Sequence, residues 1–465
     1  MLKDRLRLRF RSLLQLQHLP IALQWPRSPT LLICSGLVIM TIIGTLLLLL
    51  PGVGRGRHLT FEEAAFTAAS ALSVTGLSVI VPQRDLTTFG QIILLVLIQI
   101  GGVGFMVLAV VLFQMLGRHV SMVFRLALSE SFGLPTPGAI LALLRNVLIG
   151  VVVIESMGTL LLWAHWRPLL GNERALYYAI FHSISAFCSA GFELFTGLPE
   201  FPNGMPDDEI TMAIISVMIL LGGLGIPVIS DLVRWPWQRR LSLHSRLTLI
   251  AVFSLILIGW IALWLVEAAA GGVLSNESLG RQFSLSLFQA ISVRSAGFTG
   301  LPSFEFLSPA SQFLLMNLMF IGSAPAAMGG GITTGTFVVL ILAVVSYLRG
   351  SNSLQVSGRS IGFYIVQRAI AVLLISLIVV TIATWLILIS HDVRLETALF
   401  EVVSAFATCG LSLAVTDQLN SFGRLVIICM MLWGRLGALT IMIGFATRQV
   451  KPDLVEYPEE TILIG

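Results

Sequence analysis

The chain has 465 residues, 56% of them hydrophobic and only 11% charged, with a formal net charge of +4 and a mean hydropathy of +0.93. A soluble globular domain carries about 25% charged residues, so this composition excludes an ordinary soluble fold and calls for a bilayer. The four cysteines (Cys34, Cys188, Cys409 and Cys429) form no CxxC pair and no metal-ligand spacing, which gives no zinc site and no disulfide frame to predict.

In chain order, the opening "MLKDRLRLRFRSLLQLQHLP" is basic and amphipathic. It has the charge of a signal n-region, but the run 31–50 that follows is long and lacks a small-residue cleavage site. Residues 1–29 are therefore expected to be a cytoplasmic surface segment and 31–50 a retained span. Further apolar runs follow at 91–116, 140–164, 210–230, 247–270, 312–346, 369–390 and 425–447. Each approaches the ~20 residues that cross a bilayer, so eight helical spans are expected. Continuous runs without two-residue alternation argue against a β-barrel.

With the N-terminus inside, the inner segments (1–29, 117–145, 231–246, 349–368 and 448–465) hold 18 Lys or Arg and the outer connections hold eight. By the positive-inside rule both termini are cytoplasmic. Only Arg294 and Arg435 remain, both at membrane depth. Sixteen acids fall on the outer side, counting Glu267 at the outer end of 247–270, and seven inside, with Glu155 well within a span. An acidic outer mouth concentrates cations, although acids also collect wherever basic residues are excluded.

Between the spans the same device recurs four times. The short amphipathic segments 60–72, 173–187, 279–293 and 395–407 each begin with charge, with acids at or, for the third (Glu277), just before the start. Each runs into a turn: "SVTGLSV", "CSAGFEL", "RSAGFTG" and "ATCGLSL". The turn glycines, Gly76, Gly191, Gly297 and Gly410, are 115, 106 and 113 residues apart. Such a steady interval marks one unit used four times: span, half-helix, glycine turn, span. One such turn alone is an ordinary glycine turn. Irregular backbone at membrane depth survives only where it lines water or is buried in protein. Four returning arms on one axis present a ring of backbone carbonyls, the chemistry of a cation filter. Glycine supplies a conformation that a Cβ obstructs.

These motifs resemble the Trk/Ktr/HKT superfamily of cation transporters, most closely its KtrB-type potassium-uptake subunits, over about residues 30–465. "IQIGGVGFM", "GGLG", "YLRG", "WGRLGALT" and the tail "VEYPEETILIG" carry the likeness alongside the four turns. The resemblance implies an all-α integral membrane fold of four M1–P–M2 units in pseudo-fourfold arrangement around one pore. The segments would be a basic N-terminus (1–29), unit one (30–116), unit two with its loop (117–236), unit three (237–348), unit four with its loop (349–447) and a cytoplasmic tail (448–465). Trk-type subunits usually carry extra N-terminal spans; this chain opens directly on its first unit, which favours the Ktr type.

Carried over residue by residue, the filter is Val74, Thr75, Gly76 and Leu77, then Cys188, Ser189, Ala190, Gly191 and Phe192. Unit three adds Ser295, Ala296, Gly297 and Phe298, and unit four adds Ala407, Thr408, Cys409, Gly410 and Leu411. Serine at the first glycine accompanies sodium preference in HKT relatives, so Gly76 favours K⁺. A sodium-conducting or Na⁺-coupled relative, or a Trk-type one, is the alternative. Cys188 and Cys409 are unusual here, and their thiols are expected to point away from the ion.

Within 320–340, Pro325 and the run Gly329–Gly331 interrupt a span. The resemblance makes 322–336 an intramembrane gate loop, with Gly322, Ser323, Gly329, Gly330, Gly331 and Thr333; a kinked helix is the plainer alternative. Relatives often carry lysine where Thr333 stands, which puts that lysine's gating role in doubt here. Arg435 is expensive at membrane depth and marks function. By resemblance it lines the pore beneath the filter; otherwise it ties helix carbonyls together. Arg294 is expected to brace the filter from behind, against a half-helix C-terminus or an acid such as Glu155 or Glu401.

The chain has no P-loop, and "GVGRGR" (52–57) has no strand and helix around it for a Rossmann turn. The resemblance implies homodimerisation and control by a cytosolic RCK-type nucleotide-binding ring. The basic "RWPWQRR" (234–240) suits an acidic partner or lipid headgroups equally. No nucleic-acid partner and no bound cofactor beyond the transported K⁺, or Na⁺ in the alternative, is expected, and the expected location is a bacterial plasma membrane. An inverted-repeat transporter fits poorly, because all four units share one orientation. A membrane enzyme would need an acid or histidine cluster at depth, and the spans offer only Glu155.

Overall fold

The structure, a computed structural model, describes residues 29–104, 140–201, 204–269, 271–350, 354–356 and 358–437. The predicted N-terminal segment up to residue 28, the tail 448–465 and the distal parts of the runs 91–116 and 425–447 lie outside the described residues. The described chain is almost wholly helical. Its one sheet among the described residues is a hairpin of β1 (Leu354–Val356) and β2 (Arg359–Ile361).

The helices come in a repeating order. A long or apolar first helix is α1 (Pro29–Leu48), α5 (Ile140–Leu170), α9 (Leu243–Ala269) or α13 (Phe363–Ser390). A short second one follows: α2 (Phe61–Ser73), α6 (Asn172–Phe187), α10 (Leu279–Ser292) or α14 (Leu395–Ala407). A return helix comes third. After the one-turn α3 (Pro82–Asp85) it is α4 (Thr88–Val103), then α7 (Glu209–Gly223), α11 (Pro309–Phe320) and α15 (Ser421–Leu436). Two helices, α8 (Ile226–Gln238) and α12 (Thr334–Leu348), extend the middle repeats inward.

Local chemistry sets these boundaries. Every return helix starts on a capping side chain: Thr87, Asp208, Ser308 and Asn420 accept the backbone N–H three residues on. Each cap satisfies one of the orphan donors at a helix start. The short helix α2 opens on a capping box between Thr60 and Glu63.

Packing closes the four repeats on themselves. Each short helix lies against the first helix of its own repeat, and each return helix lies against the next short helix: α4 on α6, α7 on α10, α11 on α14, and α15 back on α2. Buried phenylalanines, Phe66, Phe181, Phe288 and Phe400, anchor the short helices in the core. Residues on the outer flanks, such as Ile42, Val152, Ile258 and Ile378, are exposed and apolar, as a lipid-facing surface requires.

Among the described residues, three helical stretches are long and apolar enough to cross a membrane: Val147–Leu170, Leu243–Ala268 and Phe363–Ser390. The run 210–230, expected as one span, is instead two helices bent by 105°. Gly225 adopts φ +80° at the elbow and Pro227 opens α8, so the α7 ladder cannot continue. The run 312–346 is likewise divided, with α11 ending at Phe320 and α12 starting at Thr334.

Candidate functional site

The four turn glycines come together in a closed circuit. All four have left-handed backbone, with φ of +90° (Gly76), +67° (Gly191), +67° (Gly297) and +91° (Gly410). A Cβ on Gly76 would fall within 3.0 Å of the Ala190 carbonyl oxygen. The same holds for Gly191 against Ala296, Gly297 against Cys409, and Gly410 against Thr75. In each case the neighbouring carbonyl belongs to the residue just before the next glycine, so the chain order is also the order around the ring. Both the dihedral and the close approach demand glycine at all four positions. The glycines are part-exposed while the residues just before them are buried.

The turns are shaped by the ends of the short helices. Three repeats read Phe-x3-Ser-x5-Gly: from Phe66, Phe181 and Phe400 through Ser70, Ser185 and Ser404. In each, the serine carbonyl accepts the N–H of the residue before the glycine: Thr75 at 2.8 Å, Ala190 at 2.7 Å and Cys409 at 2.9 Å. A left-handed residue closes the helix, Val74 (φ +58°), Ser189 (+60°) or Thr408 (+50°), which is a Schellman-type end. Left-handed backbone on Val or Thr costs roughly 1–2 kcal/mol, so surrounding structure must hold it. The third repeat is one residue shorter, Phe288-x3-Ser292-x4-Gly297. It has no left-handed residue before the glycine, and the Ser292 carbonyl instead accepts three successive N–H groups, from Ser295, Ala296 and Gly297.

The four serines hold the turn backbone, which the motifs alone did not indicate. The Ser70 and Ser404 hydroxyls accept the N–H of Gly76 (3.0 Å) and Gly410 (3.1 Å). Those of Ser185 and Ser292 donate to the carbonyls of Phe192 (2.7 Å) and Phe298 (2.6 Å). The signal was present as a serine five or six residues before every turn glycine. Behind the ring, the Cys409 thiol donates to the Val293 carbonyl (2.9 Å) and the Cys188 thiol faces Gln99 and Glu155. Both thiols thus turn into protein.

Residues 321–333 form a non-helical loop packed against the ring. Gly330 N–H donates to Thr408 Oγ1 (2.7 Å). A Cβ on Gly329 would strike the Ser295 side chain, and one on Gly330 would strike Thr408 and the Gly434 carbonyl. Loop N–H groups of Ala324 and Met328 donate to the Gly223 (3.0 Å) and Gly222 (3.2 Å) carbonyls. Thr333 caps α12 through the Thr336 N–H. Ser323 is buried, with its hydroxyl unpartnered.

The two membrane arginines both hold carbonyls. Arg435 donates to the carbonyls of Met328 in the loop and of Gly101 and Gly102 at the end of α4. Arg294, only 6% exposed, donates to the Gly322 carbonyl (2.9 Å) and Thr334 Oγ1 (2.9 Å). The expected acid partners of Arg294 are occupied elsewhere: Glu155 accepts from Gln99 and Glu401 from Ser412 and Thr416. The physical reason is that the short third repeat turns Arg294 toward the loop, whose carbonyls lack helical donors. Among the described residues no group of His, Cys, Asp or Glu could hold a metal.

A fourfold circuit of glycine turns, each on a buried half-helix in an apolar helical body, defines an ion-transport protein rather than an enzyme. Residues 27–457 match the TrkH family, described as cation transport protein, and the chain belongs to that family. It is 33% identical to the Ktr system potassium uptake protein B of Vibrio alginolyticus, over 92% of this chain and 94% of that protein. It is 30% identical to the potassium/sodium uptake protein NtpJ of Enterococcus hirae, over 94% and 97%. The crystal structure of the potassium transporter TrkH from Vibrio parahaemolyticus superposes with a TM-score of 0.72 at 19% identity, covering 92% of this chain and 86% of that one; this last likeness speaks for the fold alone.

Proposed function

We propose that the chain is the membrane-embedded, ion-passing subunit of a bacterial potassium uptake system. The observation that carries this is the closed circuit Gly76–Gly191–Gly297–Gly410, in which each glycine abuts the carbonyl before the next. The four repeats are M1–P–M2 units, eight spans in all, with both termini cytoplasmic. Backbone oxygens at Val74 and Thr75, Ser189 and Ala190, Ser295 and Ala296, and Thr408 and Cys409 replace the water around a dehydrated cation. The C-terminal ends of the four short helices add negative potential at the same place.

The loop 322–336 is the gate beneath this filter. Met328 and Gly330 are held by Arg435 and Thr408. Moving the loop breaks a small set of named bonds. The positive charge of Arg435 next to the path adds an electrostatic barrier that loop movement shifts. A homodimer and a cytosolic RCK-type nucleotide-binding ring complete the system; the name of the Ktr relative, a system protein, fits a multicomponent assembly.

Sodium passage is the second reading, favoured by the potassium/sodium name of the Enterococcus hirae relative. Rubidium uptake into vesicles carrying the full chain, with K⁺ or Na⁺ as competitor, separates the two. Potassium is expected to block uptake at concentrations where sodium does not. Equal competition by sodium overturns the potassium assignment, and wild-type uptake by the Gly297→Ala variant overturns the filter.

A further inference from the structure

Among the described residues, helix α8 stands apart at the end of a broken span. At 15 residues, α7 rises roughly 22 Å, less than the ~30 Å of a hydrocarbon core. The 105° bend then sends α8 across the inner half of the membrane instead of through it. Its middle is fixed to the start of α9: the Asp231 carboxylate accepts from the Ser242 N–H (3.2 Å) and the Ser245 hydroxyl (2.6 Å). With 27 residues, α9 is long enough to cross, so the end of α8 lies level with the inner end of a full span.

The side chains there match an interface. Val233, Arg234, Trp235, Trp237, Arg239 and Arg240 are all exposed, Trp237 at 81%. Between residues 226 and 246 there are four arginines and one acid, Asp231, and that acid is taken up by serines. The polar residues Ser230, Asp231, Arg234 and Gln238 fall within about 100° of the helix circumference. Indole rings settle at the headgroup layer and arginines reach lipid phosphates. An acidic protein would match the charge but not the bare indoles. On α9, which α8 is tied to, Ile250, Phe253 and Leu257 are also exposed, an apolar strip that a bilayer covers.

The near end of α8 bears on the loop. Ile226 N–H donates to the Ala326 carbonyl (3.3 Å), while Gly222 and Gly223, at the end of α7, accept from Met328 and Ala324. A Cβ on Gly225 would collide with the Pro325 carbonyl, so the elbow and the loop are in backbone contact. We propose that α8 is a lipid-responsive lever: its Trp–Arg end binds anionic phospholipid headgroups of the inner leaflet, and its elbow passes that binding to the loop 321–333. The coupling rests on the gate reading of the loop; the lipid docking does not.

The test uses the full chain in vesicles of phosphatidylcholine alone or mixed with phosphatidylglycerol. Headgroup-labelled quencher lipids report the Trp237 signal, taken as wild type minus Trp237→Phe, and rubidium uptake reports flux. Phosphatidylglycerol is expected to change uptake by at least about fivefold. High salt is expected to shrink that change, and R234Q/R239Q/R240Q to abolish it. The control Arg359→Gln, on β2, should keep it. Trp237 should be quenched at headgroup depth in wild type, a readout that needs no variant to fold beyond the single Phe substitution. A Trp237 signal open to aqueous quenchers overturns the docking. So does an unchanged lipid response in the triple variant, even if that variant loses activation by a cytosolic subunit. Headgroup-depth quenching with lipid-independent uptake overturns the coupling. Failure of the gate reading itself is distinct: substitutions within the loop would leave uptake unaltered in every lipid.

Discussion

Arg294, three residues before Gly297, donates a 2.9 Å hydrogen bond to the carbonyl of Gly322, the first glycine after α11. That bond joins the predicted filter turn of the third repeat to the predicted gate loop of the same repeat, and Thr334 Oγ1 bonds the same carbonyl at 3.0 Å. A buried guanidinium in such a place is costly unless its donors are used. Gln in place of Arg294 shortens the reach and leaves the Gly322 carbonyl to Thr334 Oγ1 alone. Loss of the charge-assisted bonds predicts destabilisation by about 1.5–3 kcal/mol. Thermal unfolding in detergent should show the drop, with Thr334→Ala giving a smaller one. A melting curve and an ion preference both equal to wild type would remove the brace.

The glycine circuit predicts sharp positional contrast. Gly297→Ala places a methyl against the Cys409 carbonyl and forces left-handed backbone on alanine, so uptake should vanish. Gly280→Ala, where a Cβ meets nothing within 4 Å, should transport normally. Growth of a potassium-uptake-deficient host carrying each variant is a sufficient readout.

Removing Arg435 should loosen the loop. Its guanidinium spans from the Met328 carbonyl to the end of α4, so Arg435→Gln forfeits the link between unit four, the loop and unit one. Partner-independent rubidium leak is expected to rise at least about tenfold. A variant that folds and leaks no more than wild type contradicts the latch.

The serine hydroxyls predict a selectivity effect. Ser404→Ala leaves the Gly410 N–H without its acceptor, at a cost of about 1–3 kcal/mol. The turn should widen its range of shapes and the preference of potassium over sodium should fall. Ser376→Ala, removing a buried hydroxyl with no hydrogen-bond partner, is the contrasting case and should leave preference unchanged.

At the outer start of α2, the Arg57 guanidinium pairs with both Glu63 oxygens at 2.8 Å. With help from the Thr60 N–H, it holds the Glu63 carboxyl below the usual carboxylate range, against the opposing pull of burial. A depressed folded pKa contributes stability that is present above the unfolded value, about 4.3, and is lost as pH falls through the folded one. Acid titration should therefore cost wild type more stability than Glu63→Gln. Equal acid sensitivity in the two proteins would show that the pair contributes nothing.

Much of this architecture is visible in the residues, and the reasons for the rest are physical. Hydropathy and the four glycine turns mark the short helices to within a residue or two, because charge at the start and glycine at the end are local signals. The missing residue in the third repeat is also visible, as Ser292-x4-Gly297 beside three copies of Ser-x5-Gly, and it explains why Arg294 stands apart. The partners of Arg294 and Arg435 are not visible. Both arginines bind backbone carbonyls 28 to 334 residues away, and a carbonyl has no letter in the sequence. Acids such as Glu155 and Glu401 looked like partners only because charge is legible; local hydroxyl and amide donors had already claimed them. The elbow at Gly225 was hidden in the same way, since hydropathy runs through "GGLGIP" unbroken while glycine and proline end the helix.

The four turns are expected to form one cation site. Anomalous diffraction from crystals of the full chain grown in rubidium tests this. A rubidium peak on the axis, surrounded by the carbonyl oxygens of Thr75, Ala190, Ala296 and Cys409, is the predicted result. Rubidium bound only away from those four residues, in protein that still takes up rubidium in vesicles, would contradict it.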